Sequence, residues 1–187
     1  MKKIDVKEII DMQPFTTLGN DGVLLVAGDG EKSNPMTISW GFFGIMWGMP
    51  MAIVAVRNTR YTYDFMNKIN EFSINWLADD KKDALMICGT KSGRDIDKYI
   101  EAGITPVAGM EISTPSVKES KLVLECQTVY TTDLAAEGFI DKSILGMYQA
   151  DDYHTLYFGK VVSTFSSILS ADRKLTCFER VFDFGVF

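Results

Sequence analysis

Two short stretches carry residues suited to holding an anion. Arg57-Asn58-Thr59-Arg60-Tyr61-Thr62 leaves an apolar, strand-like run and enters a helical pattern. Such a corner offers free backbone N–H groups and the positive end of a helix dipole. Two guanidinium groups and two hydroxyls stand beside them, and fixed donors with bidentate cations are what a phosphate needs. Cys88-Gly89-Thr90-Lys91-Ser92-Gly93-Arg94-Asp95 repeats the combination, with two glycines that let a phosphate approach the backbone. Neither stretch is a Walker A loop or a G-x-G-x-x-G fingerprint. Each alone also reads as a capped helix start with solvated arginines. The chain has only five arginines, Arg57, Arg60, Arg94, Arg173 and Arg180, and three fall between positions 57 and 94. That concentration puts anion binding level with the helix-cap reading for the two corners taken together.

Other chemistries are excluded by counts. There is one histidine, His154, so no multi-histidine zinc site and no two-histidine iron triad can be built within one chain. No metal site is expected. Cys88, Cys126 and Cys177 form no C-x-x-C pair and read as buried thiols of a reducing, cytoplasmic compartment. The amino-terminal residues alternate in charge and lack the apolar stretch of a signal peptide. A net charge of −6 argues against a nucleic-acid partner.

These residues must be positioned by a single domain, read as residues 1–187, with 47% hydrophobic residues to fill its core. Residues 40–56 carry no charge, but Gly41, Gly44, Gly48 and Pro50 interrupt them. We read two buried strands joined by a tight connection near Gly48-Met49-Pro50, with a subunit interface as an equal alternative, and no membrane span. Residues 15–27 read as a hairpin turning at Asn20-Asp21-Gly22, and residues 35–43 and 51–56 read as strands. A helix capped by Thr59 follows. Residues 71–78 alternate as a strand. Helices are predicted over 80–87, capped by an aspartate, and over 92–102, where Ser92 and Asp95 have capping-box-like spacing. Ile96, Tyr99 and Ile100 make its inner face and Gly103 stops it. Residues 122–132 and 155–165 are long strands rich in Val, Thr and Tyr. Strands dominate without a βαβ rhythm, so the fold class is mainly β: a closed antiparallel barrel with short peripheral helices.

The run Asn34-Pro35-Met36-Thr37-Ile38-Ser39-Trp40, then Pro50, then Val54 to Thr62, resembles the flavin reductase-like family, within it the flavoredoxin type. Cys88-Gly89-Thr90, Ser92-Gly93-Arg94-Asp95, Leu124-Glu125-Cys126 and His154 followed by Gly159-Lys160-Val161 extend the resemblance over residues 15–165. It implies an FMN-binding split barrel of Greek-key type that works as a homodimer. It also implies FMN, or FAD, as cofactor and NAD(P)H as a possible electron donor, with a redox protein as a possible partner. By this resemblance Asn34, Met36, Thr37, Ser39 and Trp40 would line the flavin ring. Arg57, Asn58, Arg60, Tyr61 and Thr62 would hold its ribityl and phosphate end, and Gly89, Ser92 and Arg94 would complete that end or meet a second nucleotide. His154 would face a nicotinamide or an electron partner. Relatives that use a nicotinamide often carry Gly-Asp-His before the last strand. Here Asp151-Asp152-Tyr153-His154 stands in its place, so Tyr153 would cover the face where a nicotinamide stacks. The implied activity is electron transfer from NAD(P)H to flavin, or through bound FMN to a partner. A carrier that does not oxidise NAD(P)H directly, or a non-redox flavin-binding module, is the alternative.

Overall fold

A computed structural model describes residues 2–5, 18, 22–148 and 150–167. Ten strands are described: β1 (Lys2–Lys3), β2 (Val23–Gly28), β3 (Ser33–Ile38), β4 (Gly41–Met46), β5 (Met49–Arg57), β6 (Glu71–Leu77), β7 (Pro106–Val107), β8 (Ser116–Val117), β9 (Ser120–Asp133) and β10 (His154–Ser166). Three α-helices lie between them: α1 (Tyr61–Met66), α2 (Lys82–Thr90) and α3 (Lys98–Ala102). The main sheet runs β3-β2-β6-β9-β10-β5-β4, with β1 on β10 and every pairing antiparallel.

The sheet is rolled around one core. Met36 and Ile38 of β3 and Ala52, Val54 and Val56 of β5 come from opposite parts of the strand order. They share a cluster with Leu25, Phe72, Ile74, Leu122, Leu124 and Tyr157. Only curvature brings them together, and β3 meets β5 without a ladder between them. This is the mainly β, antiparallel architecture expected from the sequence. At Gly159 the space a Cβ would need is filled by Phe72, whose ring would stand 2.3 Å away. The absent side chain lets β10 bend there, at a register shift against β9.

Strand β2 is buried throughout because helices cover its outer side. Leu24 and Val26 pack there on Ala84, Leu85 and Cys88 of α2. A strand sealed on both faces loses the polar alternation that marks a solvent-facing one.

Several expectations are corrected. The apolar stretch over 35–43 is two strands, broken at Ser39 and Trp40. The uncharged run does form the paired strands β4 and β5, but the connection is Trp47-Gly48, both with positive φ, and Pro50 lies inside β5. Strand β4 is an exposed edge, with Phe42 68% and Ile45 54% exposed, so only β5 is buried. Helix α1 begins after Arg60, with no side-chain cap, and α2 likewise lacks one. Residues 92–96 form turns, and α3 starts six residues later than expected. Asp97 caps it by accepting from the N–H groups of Tyr99 and Ile100, and Gly103 ends it as predicted. Ile100 points outward, 80% exposed. Residues 15–17 and 19–21 of the predicted 15–27 hairpin, Asn20 and Asp21 among them, lie outside the described residues, as do Cys177, Arg173 and Arg180. The hairpin that is described joins β2 to β3 through Asp29, whose carboxylate accepts from the N–H groups of Glu31 and Lys32.

Candidate functional site

The two predicted corners meet. Asn34 of β3 is buried and donates to the Thr62 hydroxyl of α1 at 2.7 Å. Gly93 presses against this pair: a Cβ there would lie 1.9 Å from Asn34 Oδ1 and 3.0 Å from the Tyr61 ring. From the same turn Arg94 reaches over the Tyr61 ring at 4.9 Å, donates to the Thr59 carbonyl and pairs with Asp64 at 2.8 Å. Thr37 donates to the Leu85 carbonyl at 2.6 Å, and Gly89 lies against the Thr37 side chain. Beneath them Lys98, 5% exposed, donates to the carbonyls of Pro35 and Cys88, tying β3 to the end of α2. Burial lowers its pKa, and burial raises that of the neighbouring Cys88 thiol to about 11, which leaves an inert thiol.

Most of the local cations are already matched. Arg57 pairs with Asp152, Arg94 with Asp64 and Lys91 with Glu101. Arg60 is exposed and makes no ion pair or side-chain hydrogen bond among the described residues. Its charge acts on both Lys98 and His154, lowering the pKa of each after the effect of burial. A guanidinium left without an ion pair is a place for an anion.

His154 opens β10 directly opposite Arg57 on β5. Its Nδ1 is 3.1 Å from the Tyr148 hydroxyl and its ring centroid 4.8 Å from that of Trp40. Arg57 donates to Asp152 at 2.5 Å and to the Met147 carbonyl at 3.1 Å, and lies over the Tyr148 ring. Tyr153 stacks on Tyr148 and Phe139. Burial first, then the Arg57 charge, push the His154 pKa down to about 4, with Asp152 opposing. The ring is neutral at pH 7, and Tyr148 occupies one of its nitrogens. The Arg57 hydrogen bond holds Asp152 below the usual carboxylate range, while the other carboxylate oxygen, Oδ1, is buried without a partner among the described residues.

The comparisons with known proteins bear on this arrangement. Residues 19–183 match the sequence profile of the flavin reductase like domain. The chain belongs to the flavin reductase-like family. An uncharacterized protein of Pyrococcus abyssi is 30% identical over 146 residues, covering 75% of this chain and 70% of that protein. The flavoredoxin of Methanosarcina acetivorans superposes with a TM-score of 0.62 at 25% identity, over 79% of this chain and 69% of that one. An FMN-binding protein of Thermus thermophilus with bound 1-cyclohex-2-enone superposes with a TM-score of 0.60 at 20% identity, over 78% and 69%.

Within this flavin reductase-like fold the sequence-predicted residues divide into three sets. Asn34, Thr37, Thr62, Gly89 and Met36 are packing residues whose side chains are buried or turned onto neighbours. Asn58, Arg60, Ser39 and Trp40 are exposed, and Ser92 and Tyr61 half-buried. Arg57 and His154 share one ladder position, and the Arg60 charge reaches His154. Sequence reasoning missed Tyr148 and Lys98. No spacing marks either one, because Arg57 for Tyr148 and the Pro35 carbonyl for Lys98 come from distant elements. Among the described residues no group of metal-ligating side chains occurs, and no helix is long and apolar enough to cross a membrane.

Proposed function

We propose that the chain is an FMN-binding oxidoreductase. Arg60 carries the reading: an exposed guanidinium with no ion pair among the described residues, whose charge reaches both His154 and Lys98. The residues fit a flavin mononucleotide. Arg60, Asn58 and Ser92 would hold the phosphate, and Asn34, Thr62, Gly93 and Lys98 would keep that corner in shape. Ser39 and Trp40 would meet the ring system, one with a hydroxyl and the other with a half-exposed apolar face. Bound flavin supplies the redox chemistry, and the protein supplies position and electrostatics. His154 stays neutral there, so it places no fixed charge against the ring.

The electron source is a further part of the reading. Tyr148, which lies under the Arg57 guanidinium, and Tyr153, which packs on Tyr148, stand beside His154 and narrow the approach on that side. This favours exchange with a redox partner protein over rapid direct oxidation of NADH or NADPH.

A homodimer belongs to the same proposal. Tyr130, Phe158, Ile53 and Phe42 face each other in register across β9, β10, β5 and β4. Trp47 packs on Tyr130 and Phe158, and Phe42, Trp47 and Tyr130 are each more than half exposed. An exposed aromatic row of this kind is a partner surface. His154 and Leu156 continue the row, so a second copy seated there would stand next to the site.

The test is direct. Purified protein should take up FMN with quenching of flavin fluorescence. Arg60→Ala should weaken that uptake about tenfold to a hundredfold, the loss of one charge-assisted contact of about 1.5–3 kcal/mol. A protein that takes up no FMN overturns the proposal. Anaerobic mixing of the yellow protein with NADH and NADPH then tests the electron source, since rapid bleaching by either would contradict the partner-protein reading.

A further inference from the structure

His154 and Tyr148 meet through one contact in which the place of a proton matters. The Tyr148 hydroxyl lies 3.1 Å from His154 Nδ1. Each ring is also held by other contacts. His154 stands in the ladder opposite Arg57, while Tyr148 lies under the Arg57 guanidinium and packs on Phe139 and Tyr153. The imidazole is neutral at pH 7, so one nitrogen carries a proton and the other a lone pair.

The hydroxyl decides between the two nitrogens. Tyr148 is buried, and its hydroxyl has no other partner among the described residues. With the proton on Nδ1, the ring would donate to the tyrosine oxygen and leave a buried O–H without an acceptor, which is costly. With the hydroxyl donating, Nδ1 accepts and the O–H is satisfied. The imidazole proton then sits on Nε2, which has no hydrogen-bond partner among the described residues. A histidine that works as a base is oriented the opposite way: a carboxylate or carbonyl accepts from Nδ1–H and leaves Nε2 its lone pair. Here the nearby carboxylate, Asp152, accepts from Arg57 instead. We propose that Tyr148 is a positioning residue whose hydroxyl holds His154 as the Nε2–H tautomer, so that the histidine meets a bound ligand as a hydrogen-bond donor and not as a base. Only the identity of that ligand rests on the FMN reading.

The chain has one histidine, so nitrogen-15 labelling of histidine reports this ring alone. In the flavin-free full chain at neutral pH, nitrogen NMR should show Nε2 protonated and Nδ1 unprotonated. Tyr148→Phe keeps the ring under Arg57 and removes only the hydroxyl. Its Nδ1 signal should move toward the protonated position as the second tautomer becomes populated. A proton on Nδ1 in the natural chain, or unchanged signals in Tyr148→Phe, overturns the proposal. In the FMN-loaded protein a neutral donor beside the ring favours the reduced, more electron-rich flavin. His154→Gln keeps an N–H donor and should hold the midpoint potential near its natural value, whereas His154→Phe should lower it. Equal potentials in the two variants overturn the donor role. The expected tautomer in a protein that takes up no FMN would keep Tyr148 in its role and remove the flavin reading.

Discussion

Arg57 Nη1 donates to Asp152 Oδ2 at 2.5 Å, joining the last residue of β5 to a residue just before β10. The ladder alone would align Arg57 with His154. The ion pair adds a second tie and turns the guanidinium over Tyr148, so one arginine fixes Asp152, Met147 and Tyr148 at once. Arg57→Ala removes two hydrogen bonds and a cation–π contact and leaves the buried Asp152 Oδ1 beside a carboxylate oxygen that has lost its donor. The variant should lose about 1–3 kcal/mol of unfolding free energy in urea. It should also be bleached faster by NADH once loaded with FMN, because Tyr148 loses the guanidinium over its ring. Unchanged stability would show that Arg57 is free in solution and available to a phosphate.

Gly93 and Asn34 give a second prediction, about how the corner is shaped. A Cβ at position 93 would lie inside the contact distance of Asn34 Oδ1, a side chain already held by Thr62. Gly93→Ala should destabilise the fold by about 1–3 kcal/mol and weaken FMN uptake. Asn34→Ala alone loses a buried hydrogen bond worth about 1 kcal/mol. The double variant should be more stable than the sum of the single losses, since removing Asn34 opens the space the new methyl needs. Additive losses in urea unfolding would contradict this packing.

That pair also shows where sequence reading stops. Strands β9 and β10 are legible from their Val, Thr and Tyr content and β6 from its alternation, all local properties. So is the stop of α3 at Gly103, which needs only a left-handed backbone. The start of α3 was misplaced because Ser92 and Asp95 imitate a capping box, whereas Asp97 wins by reaching two N–H groups. The glycine at 93 looked like a phosphate cradle, but its smallness answers to Asn34, nearly sixty positions earlier. The exposed edge β4 was read as buried because an uncharged run carries no sign of whether its partner is the same chain or another surface. Tyr148 and Lys98 were invisible for a related reason. Each is defined in part by a partner far along the chain, Arg57 for Tyr148 and the Pro35 carbonyl for Lys98.

His154 makes a prediction about pH. In the unfolded chain its ring takes a proton near pH 6.5, but in the fold only near pH 4. Between those values the unfolded state binds more protons, so stability is fully present above pH 6.5 and falls as the pH drops toward 4. His154→Phe should flatten that slope, although carboxylates such as Asp152 still contribute at the acid end of the window. Urea midpoints at pH 7 and pH 5 measure the difference. An equal fall in both proteins would show that His154 is protonated in the fold.

Phe42 tests the proposed dimer. Its side chain is 68% exposed on the edge strand, so within one chain a charge there disturbs little. In a dimer built on the Tyr130–Phe158–Ile53–Phe42 row the same charge would be buried without a partner, which costs several kcal/mol. Phe42→Asp should therefore sediment as a monomer with an unchanged circular dichroism spectrum, while the natural chain sediments as a dimer. Because Trp40 and His154 continue the same face, the monomeric variant should also hold FMN less tightly than the dimer does. A natural chain that is monomeric at micromolar concentration, or a variant that remains a dimer, removes this face as the interface. Retention of FMN by a monomeric variant at full affinity would show that each copy holds its flavin alone.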